Sequence, residues 1–159
     1  MRMAEGVEWA LHSCLNLAWV GPERAVPTAA LAAFYELPAA YLNKQLQALA
    51  RAGVVYSTPG PGGGFRLARD PEQITLLDVV VAIEGREDAF QCTEIRQRGP
   101  GATPDAPTAP CLVDQAMRRA EIAWRAELAS QTIAELQAAV RQAAPEVPVR
   151  ARQWFAATP

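Results

Sequence analysis

The stretch VVYSTPGPGGGFRLARD, residues 54–70, constrains the fold more than any other part of the chain. Two short apolar runs, Val54 to Ser57 and Phe65 to Leu67, flank a tip made only of Thr, Pro and Gly. Proline lacks an N–H and glycine tolerates positive φ, so the tip reads as a turn and the runs as a hairpin. Helical patterns precede it. Val7, Leu11, Cys14, Leu15 and Ala18 recur at helical spacing and predict a helix over residues 4–20. GPERAVP ends it. Thr28 is a suitable N-cap for a short helix through about Tyr35. Pro38 then suits the first turn of a helix that Gly53 stops. Leu42, Leu46 and Leu49 form its apolar stripe. Two helices joined by a short turn, then a hairpin, is the order of a winged helix-turn-helix.

The second half is again helical. ITLLDVVVAIEG predicts a helix capped by Thr75 with Asp78 three residues on. Residues 86–110 read as loop, because RGPGATPDAPTAP is too rich in proline for regular structure. From Leu112 to about Val140 the spacing predicts one long helix, about 42 Å if some 28 residues are helical. So small a domain cannot cover that length, and a second copy of the chain is the expected cover, making a homodimer. The expected class is mainly α with a small β-hairpin wing. Its divisions are a winged helix-turn-helix over 1–85, a loop over 86–111, a dimerisation helix over 112–143 and a tail over 144–159. In the tail, Trp154 and Phe155 either pack back on the body or leave it mobile.

Half of the 159 residues are apolar and 20% are charged, which suits one compact unit with an appendage. No apolar run is long enough to span a bilayer. The start carries early acids and no small-residue cleavage site, so a cytoplasmic location is expected. The net charge of -2 argues against nonspecific coating of nucleic acid. Charge is uneven, however: Pro38 to Arg69 holds Lys44, Arg51, Arg66 and Arg69 and no acid. That segment is a candidate phosphate-facing surface on double-stranded DNA. A recognition helix presents side chains to base edges in the major groove. Asn43 and Gln45 can pair with adenine, and Lys44 with guanine or phosphate. Pro61, Gly62 and Gly63 form a wing tip fit for close backbone approach, with Arg66 at its base. Thr28 and Tyr41 complete the expected DNA-facing set. Winged helices also serve as protein-interaction modules, and that alternative stays open here.

The candidate chemistry is sparse. His12 is the single histidine, one helical turn from Glu8. The pair suits a helical ion pair, two metal ligands, or a general base beside a ligand. Cys14 lies in the apolar pattern and reads as a small core residue. Cys92 and Cys111, nineteen residues apart, flank the Pro/Gly-rich loop as a possible thiol pair. No nucleophile elbow, no phosphate loop before a helix and no second histidine is present. GPGGG leads into a strand, so it is not a dinucleotide fingerprint. Neither enzymatic activity nor a small-molecule substrate is expected.

YLNKQLQALARAGVV, GPGGGFRLARDPEQITLLDVVVAIEG and the cysteine in FQCTEIRQRGP together closely resemble the Rrf-two family of bacterial winged-helix regulators, over about residues 3–140. The resemblance implies dimers on pseudo-palindromic operators and, in many members, an iron–sulfur cluster near the dimer interface. Many members carry three cysteines in the loop, and this chain has two. Imidazole can replace thiolate on iron, and carboxylate is a rarer ligand. Glu8, Trp9, His12, Cys92 and CTEIRQRGP resemble a redox-sensing branch whose [2Fe-2S] cluster takes Glu and His from one subunit and two Cys from the other. The resemblance thus implies Glu8, His12, Cys92 and Cys111 as cluster ligands. From that ligand set, one-electron sensing is expected, with Trp9, next to Glu8, repacking as the charge of the partly buried site changes. A nitric-oxide-responsive repressor with the same cluster, and a metal-free Cys92/Cys111 thiol switch, are the alternatives.

Overall fold

A computed structural model describes residues 3–102 and 111–158. Of the loop expected over 86–110, residues 103–110 lie outside the described residues. The helix α1, Glu5–Val20, runs through the centre and packs on most of the other elements. It ends at Gly21, whose φ of +89° is a glycine conformation. A short α2, Thr28–Phe34, and α3, Ala39–Arg51, follow as the helix-turn-helix. Gly53, with φ +70°, terminates α3 as its sequence position predicts.

The hairpin pairs β1, Val55–Thr58, with β2, Gly64–Leu67, antiparallel in the register Val55 to Leu67 and Ser57 to Phe65. A two-stranded ribbon alone is marginal. Here Val26 pins it: Val26 N–H donates to the Phe65 carbonyl at 2.9 Å, and Phe65 N–H to the Val26 carbonyl at 2.8 Å. Phe65 is buried, so the wing is anchored in the core. Helix α4, Leu76–Glu84, begins with the predicted capping box of Thr75 and Asp78.

The long helix expected from Leu112 to Val140 is instead two. Helix α5, Leu112–Ser130, stops, and α6, Ile133–Ala143, restarts under a second capping box, Thr132 with Glu135. Backbone pairing fixes this elbow: Leu76 N–H donates to the Gln131 carbonyl and Ile133 N–H to the Ile74 carbonyl, both at 2.9 Å. The apolar periodicity continued across the break because α6 also turns an apolar face inward, onto α1. The tail forms a further helix, α7, Glu146–Ala157. Trp154 packs edge-on against Phe34, and Phe155 stacks on Phe34 with ring centroids 5.1 Å apart.

One core unites α1, α2, α3, the hairpin, α4, α6 and α7 around Leu31, Leu42, Leu46, Leu49, Ile74, Ile133 and Phe155. Helix α5 packs on α4 but adds nothing to this core. None of its residues is buried, and Leu112, Val113, Met117 and Ile122 are exposed. No helix among the described residues is long and apolar enough to cross a membrane.

Candidate nucleic-acid interface and metal centre

Leu42, Leu46 and Leu49 turn one face of α3 into the core, which leaves Tyr41, Asn43, Lys44 and Gln47 exposed on the other. Tyr41 is 61% exposed. Thr28 is the first residue of α2 and does not cap it, because Pro27 holds the N-cap position. The Thr28 hydroxyl instead donates to Asn43 Oδ1 at 3.3 Å, which orients the Asn43 amide. Gln45 is half-buried against α1, where Gly6 leaves space for its side chain: a Cβ at Gly6 would stand 2.7 Å from Gln45 Cδ.

In the wing, Pro61 and Gly62 are exposed and Gly63 is half-buried, its N–H donating to the Gly60 carbonyl at 2.9 Å. Arg66 faces Tyr56 across the hairpin, and its Nε is buried without a partner among the described residues. The predicted DNA-facing residues therefore come from α2, α3 and the wing, with Lys44 and Arg51 as exposed cations. Arg69 is engaged internally, by Asp78 at 3.3 Å and the Gln73 carbonyl at 2.9 Å.

The two loop cysteines, nineteen residues apart in sequence, converge. Ligand atoms of Cys92, Glu94 and Cys111 all lie within 4.8 Å of one another. Cys111 occupies the N-cap position of α5 and is 8% exposed. The backbone N–H of Asp114 draws its thiol pKa below the usual value, helped by the Val113 N–H and by Arg96. At Cys92 the Glu94 N–H pulls in the same direction. Desolvation and the nearby Glu94 carboxylate outweigh it, so that thiol sits above its usual value. Cys111 is thus the more acidic thiol of the pair.

Sequence reasoning missed Glu94. It takes a left-handed conformation, φ +49°, unusual for a residue with a side chain. That conformation turns its carboxylate back on the pair: Cys92 Sγ donates to Glu94 Oε1 at 3.6 Å, and Arg96 donates through two nitrogens to Oε2 at 3.1 and 2.8 Å. The two-residue spacing of Cys92 and Glu94 in an irregular loop was the one available signal. Two thiols with an adjacent carboxylate are a donor set that suits iron or zinc.

Glu8 and His12 are both exposed on α1 and do not join that group within one chain. His12 Nδ1 lies 3.4 Å from the Tyr35 hydroxyl, with the rings edge to face at 5.3 Å. Burial pushes the Tyr35 hydroxyl pKa up, and the Asn16 side chain partly opposes this. Trp9 is half-buried against Tyr41. Cys14 is fully buried, and desolvation pushes its thiol up to about 12, so it is a core residue.

A family profile, Rrf2, described as an iron-dependent transcriptional regulator, matches residues 3–139. A protein called HTH-type transcriptional regulator BadM, from Rhodopseudomonas palustris, is 38% identical over 84 residues, 53% of each chain. HTH-type transcriptional regulator IscR of Vibrio cholerae is 32% identical over 58% of this chain and 53% of its own length. The chain thus spans about half the length of these relatives. The structure of T. potens IscR superposes with a TM-score of 0.69 at 19% identity, covering 91% of each chain. That of CymR, the global cysteine regulator of B. subtilis, does so with a TM-score of 0.68 at 22% identity, covering 87% of this chain and 97% of CymR.

Proposed function

The chain belongs to the Rrf2 family of transcriptional regulators, and we propose that it is a cytoplasmic, homodimeric DNA-binding regulator that senses redox state through a [2Fe-2S] cluster at the dimer interface. Glu8 and His12 of one subunit and Cys92 and Cys111 of the other are the ligands in this reading. The observation that carries it is the convergence of Cys92 and Cys111 within 4.8 Å, while Glu8 and His12 stand exposed elsewhere on the same chain. Two half-sites of this kind require a second copy to complete them. This ligand pattern resembles that of the redox-sensing member RsrR. The exposed apolar residues of α5 support the dimer, because a partner helix would cover them.

A bound cluster would supply a one-electron couple. The chain's own residues do the rest. Cys111, the more acidic thiol of the pair, sits at the start of α5, so ligation ties the loop to the dimerisation helix. Glu94 and Arg96 set the charge beside the two sulfurs. Trp9 links the ligand-bearing helix to α3 through Tyr41. The two α3 helices would read a pseudo-palindromic operator with Asn43 and Lys44, while the wing residues Pro61, Gly62, Gly63 and Arg66 follow the backbone.

The test is the visible absorption spectrum with iron and sulfide content of protein purified without oxygen, for the wild type, His12→Ala and Cys92→Ser. Wild-type protein should be red-brown with two irons and two sulfides per cluster, His12→Ala should shift the spectrum, and Cys92→Ser should lose the iron. Wild-type protein that stays colourless and iron-free after reconstitution would overturn the reading. The convergence of the cysteines also favours a second reading, a metal-free thiol switch. Iron-free protein whose operator affinity changes on oxidation of Cys92 and Cys111 to a disulfide would establish it.

A further inference from the structure

Helix α2 stops on a residue that does not suit the stop. Glu36 takes φ +54°, a left-handed conformation that glycine ordinarily supplies at a helix end. Glu36 N–H donates to the Ala33 carbonyl at 3.3 Å and Leu37 N–H to the Ala32 carbonyl at 2.8 Å, the two bonds that close a helix of this kind. A side chain held in that conformation is strained, and such strain persists where the surroundings impose it. Tyr35, directly before Glu36, is the C-cap of α2. Its ring meets Phe34 edge-on at 4.8 Å, and Phe34 stacks on Phe155, which is 2% exposed. The strained stop and the ring stack together fix Tyr35 at the turn between α2 and α3.

From that turn the Tyr35 hydroxyl reaches α1. It lies 3.4 Å from His12 Nδ1, with the two rings edge to face at 5.3 Å. This is the one hydrogen bond of the His12 ring among the described residues. A neutral imidazole carries one N–H and one free lone pair, and the bond made at one nitrogen decides which is which. A metal takes the nitrogen with the lone pair. A histidine ligand characteristically donates its other ring N–H to a nearby oxygen, which fixes both its tautomer and its orientation. Nδ1 is the nitrogen engaged by Tyr35, so Nε2 is the one left to ligate.

We propose that Tyr35 is the positioning residue for His12: its hydroxyl oxygen accepts the Nδ1–H and leaves the Nε2 lone pair free for the cluster. This role rests on the reading of His12 as a ligand. Tyr35 acts through His12 and touches no cluster atom itself. The hold on the ligand then comes from the turn of the helix-turn-helix. At the other end of the seven-residue α2, Thr28 holds the Asn43 amide at 3.3 Å. The proposed ligand and the proposed base-reading amide are thereby tied to opposite ends of one short helix.

His12 is the single histidine, so nitrogen NMR reads its ring without overlap. The iron-free full chain is measured at a pH of about 8, where an ordinary imidazole is neutral. Wild-type His12 should be mainly the Nδ1–H tautomer. Tyr35→Phe keeps the ring and removes the hydroxyl, and should move the tautomer ratio about fivefold toward Nε2–H, with an unfolding curve confirming that it folds. A mainly Nε2–H wild type, a result that needs no variant, would overturn the proposal. So would an unchanged ratio in Tyr35→Phe. In reconstituted protein of equal iron and sulfide content, Tyr35→Phe should also shift the electron paramagnetic resonance spectrum of the reduced cluster, and an identical spectrum would overturn the proposal too. Protein that stays colourless after reconstitution, with a tautomer ratio that still responds to Tyr35→Phe, would overturn the cluster reading and uphold the hold of Tyr35 on His12, so the two failures are told apart.

Discussion

Trp9 of α1 meets Tyr41 of α3 edge to face, with ring centroids 6.0 Å apart and planes at 73°. Trp9 directly follows Glu8, and Tyr41 lies two residues before Asn43. The contact therefore joins the helix bearing the proposed Glu8 and His12 ligands to the helix proposed to read DNA. Three residues before Trp9, Gly6 provides a second tie, with the Gln45 side chain lying on it. A displacement of α1 would reach α3 through these two points.

Trp9→Ala should uncouple sensing from DNA binding. The edge-to-face pair contributes about 1 kcal/mol and truncation of the half-buried ring adds its lost packing, so an unfolding curve on Trp9→Ala accompanies the test. The ratio of operator affinities between oxidised and reduced protein should collapse to about twofold or less, while Trp9→Phe should keep most of it. Fluorescence anisotropy on a duplex selected from random sequence, in both redox states, measures this. An unchanged ratio in Trp9→Ala would remove Trp9 from the coupling.

The wing depends on Gly64. Its φ is +145°, and a Cβ there would strike the Val26 carbonyl and the Pro27 nitrogen. That close approach is what permits the Val26–Phe65 pairing that anchors the hairpin. Gly64→Ala should lower stability by roughly 1–3 kcal/mol. Gly62 meets nothing within 4 Å and has no positive φ, so Gly62→Ala should change stability by less than about 0.5 kcal/mol. Thermal unfolding of the two variants separates them. Equal effects would show that the strain lies elsewhere.

The helix-turn-helix, the hairpin and the Thr75–Asp78 cap were legible because each carries a local signal: a leucine stripe, a Gly/Pro tip, a capping pair. The break between α5 and α6 was not, although Thr132 and Glu135 carry the same capping pattern as Thr75 and Asp78. The apolar period ran on past it, and what decides the elbow is nonlocal pairing with residues 74–76. Glu94 escaped for a related reason. Its role comes from a left-handed backbone and from Cys111 seventeen residues on, neither of which spacing reveals. The aromatic cluster around Phe34 needed the tail to fold back, and Trp154 and Phe155 alone left that open.

Thr132→Ala should test the elbow. It removes the side chain that accepts from the Glu135 N–H, and loss of such a cap costs about 1 kcal/mol. The neighbouring backbone pairs Leu76–Gln131 and Ile133–Ile74 should then exchange their amide protons faster. Hydrogen exchange read by NMR checks both sites. Protection equal to wild type at Leu76 and Ile133 would mean the cap is dispensable.

Asn43 and Lys44 should fail differently on DNA. Thr28 orients the Asn43 amide; on the proposed base contact, Asn43→Ala should cost about 1–3 kcal/mol on the preferred sequence and blur selectivity at one position. Lys44→Ala should weaken binding to all sequences and reduce the slope of log affinity against log salt by about one. Titrations at several salt concentrations on matched and substituted duplexes separate the two effects. The assignment of roles would fail if Asn43→Ala weakened all duplexes equally.

Cys14 sets the alkaline stability of the fold. Burial pushes its thiol from the usual 9.0 up to about 12. As pH rises past 9, the unfolded chain loses this proton and the folded chain keeps it. The unfolded state then binds fewer protons, so stability falls with pH across that window and is unaffected below it. Cys14→Ala removes the titration. Near neutral pH the variant should be less stable by about 1 kcal/mol, the packing lost with one buried sulfur. Its alkaline decline should be shallower, because Tyr35 and the other titrating groups act on both proteins alike. The linkage should cost the wild type about 2 kcal/mol by a pH of about 10.5, so in urea unfolding the two stabilities should converge above a pH of about 9 and cross before about 10.5. Parallel curves would mean that Cys14 is already ionised or accessible in the folded state, contrary to its complete burial.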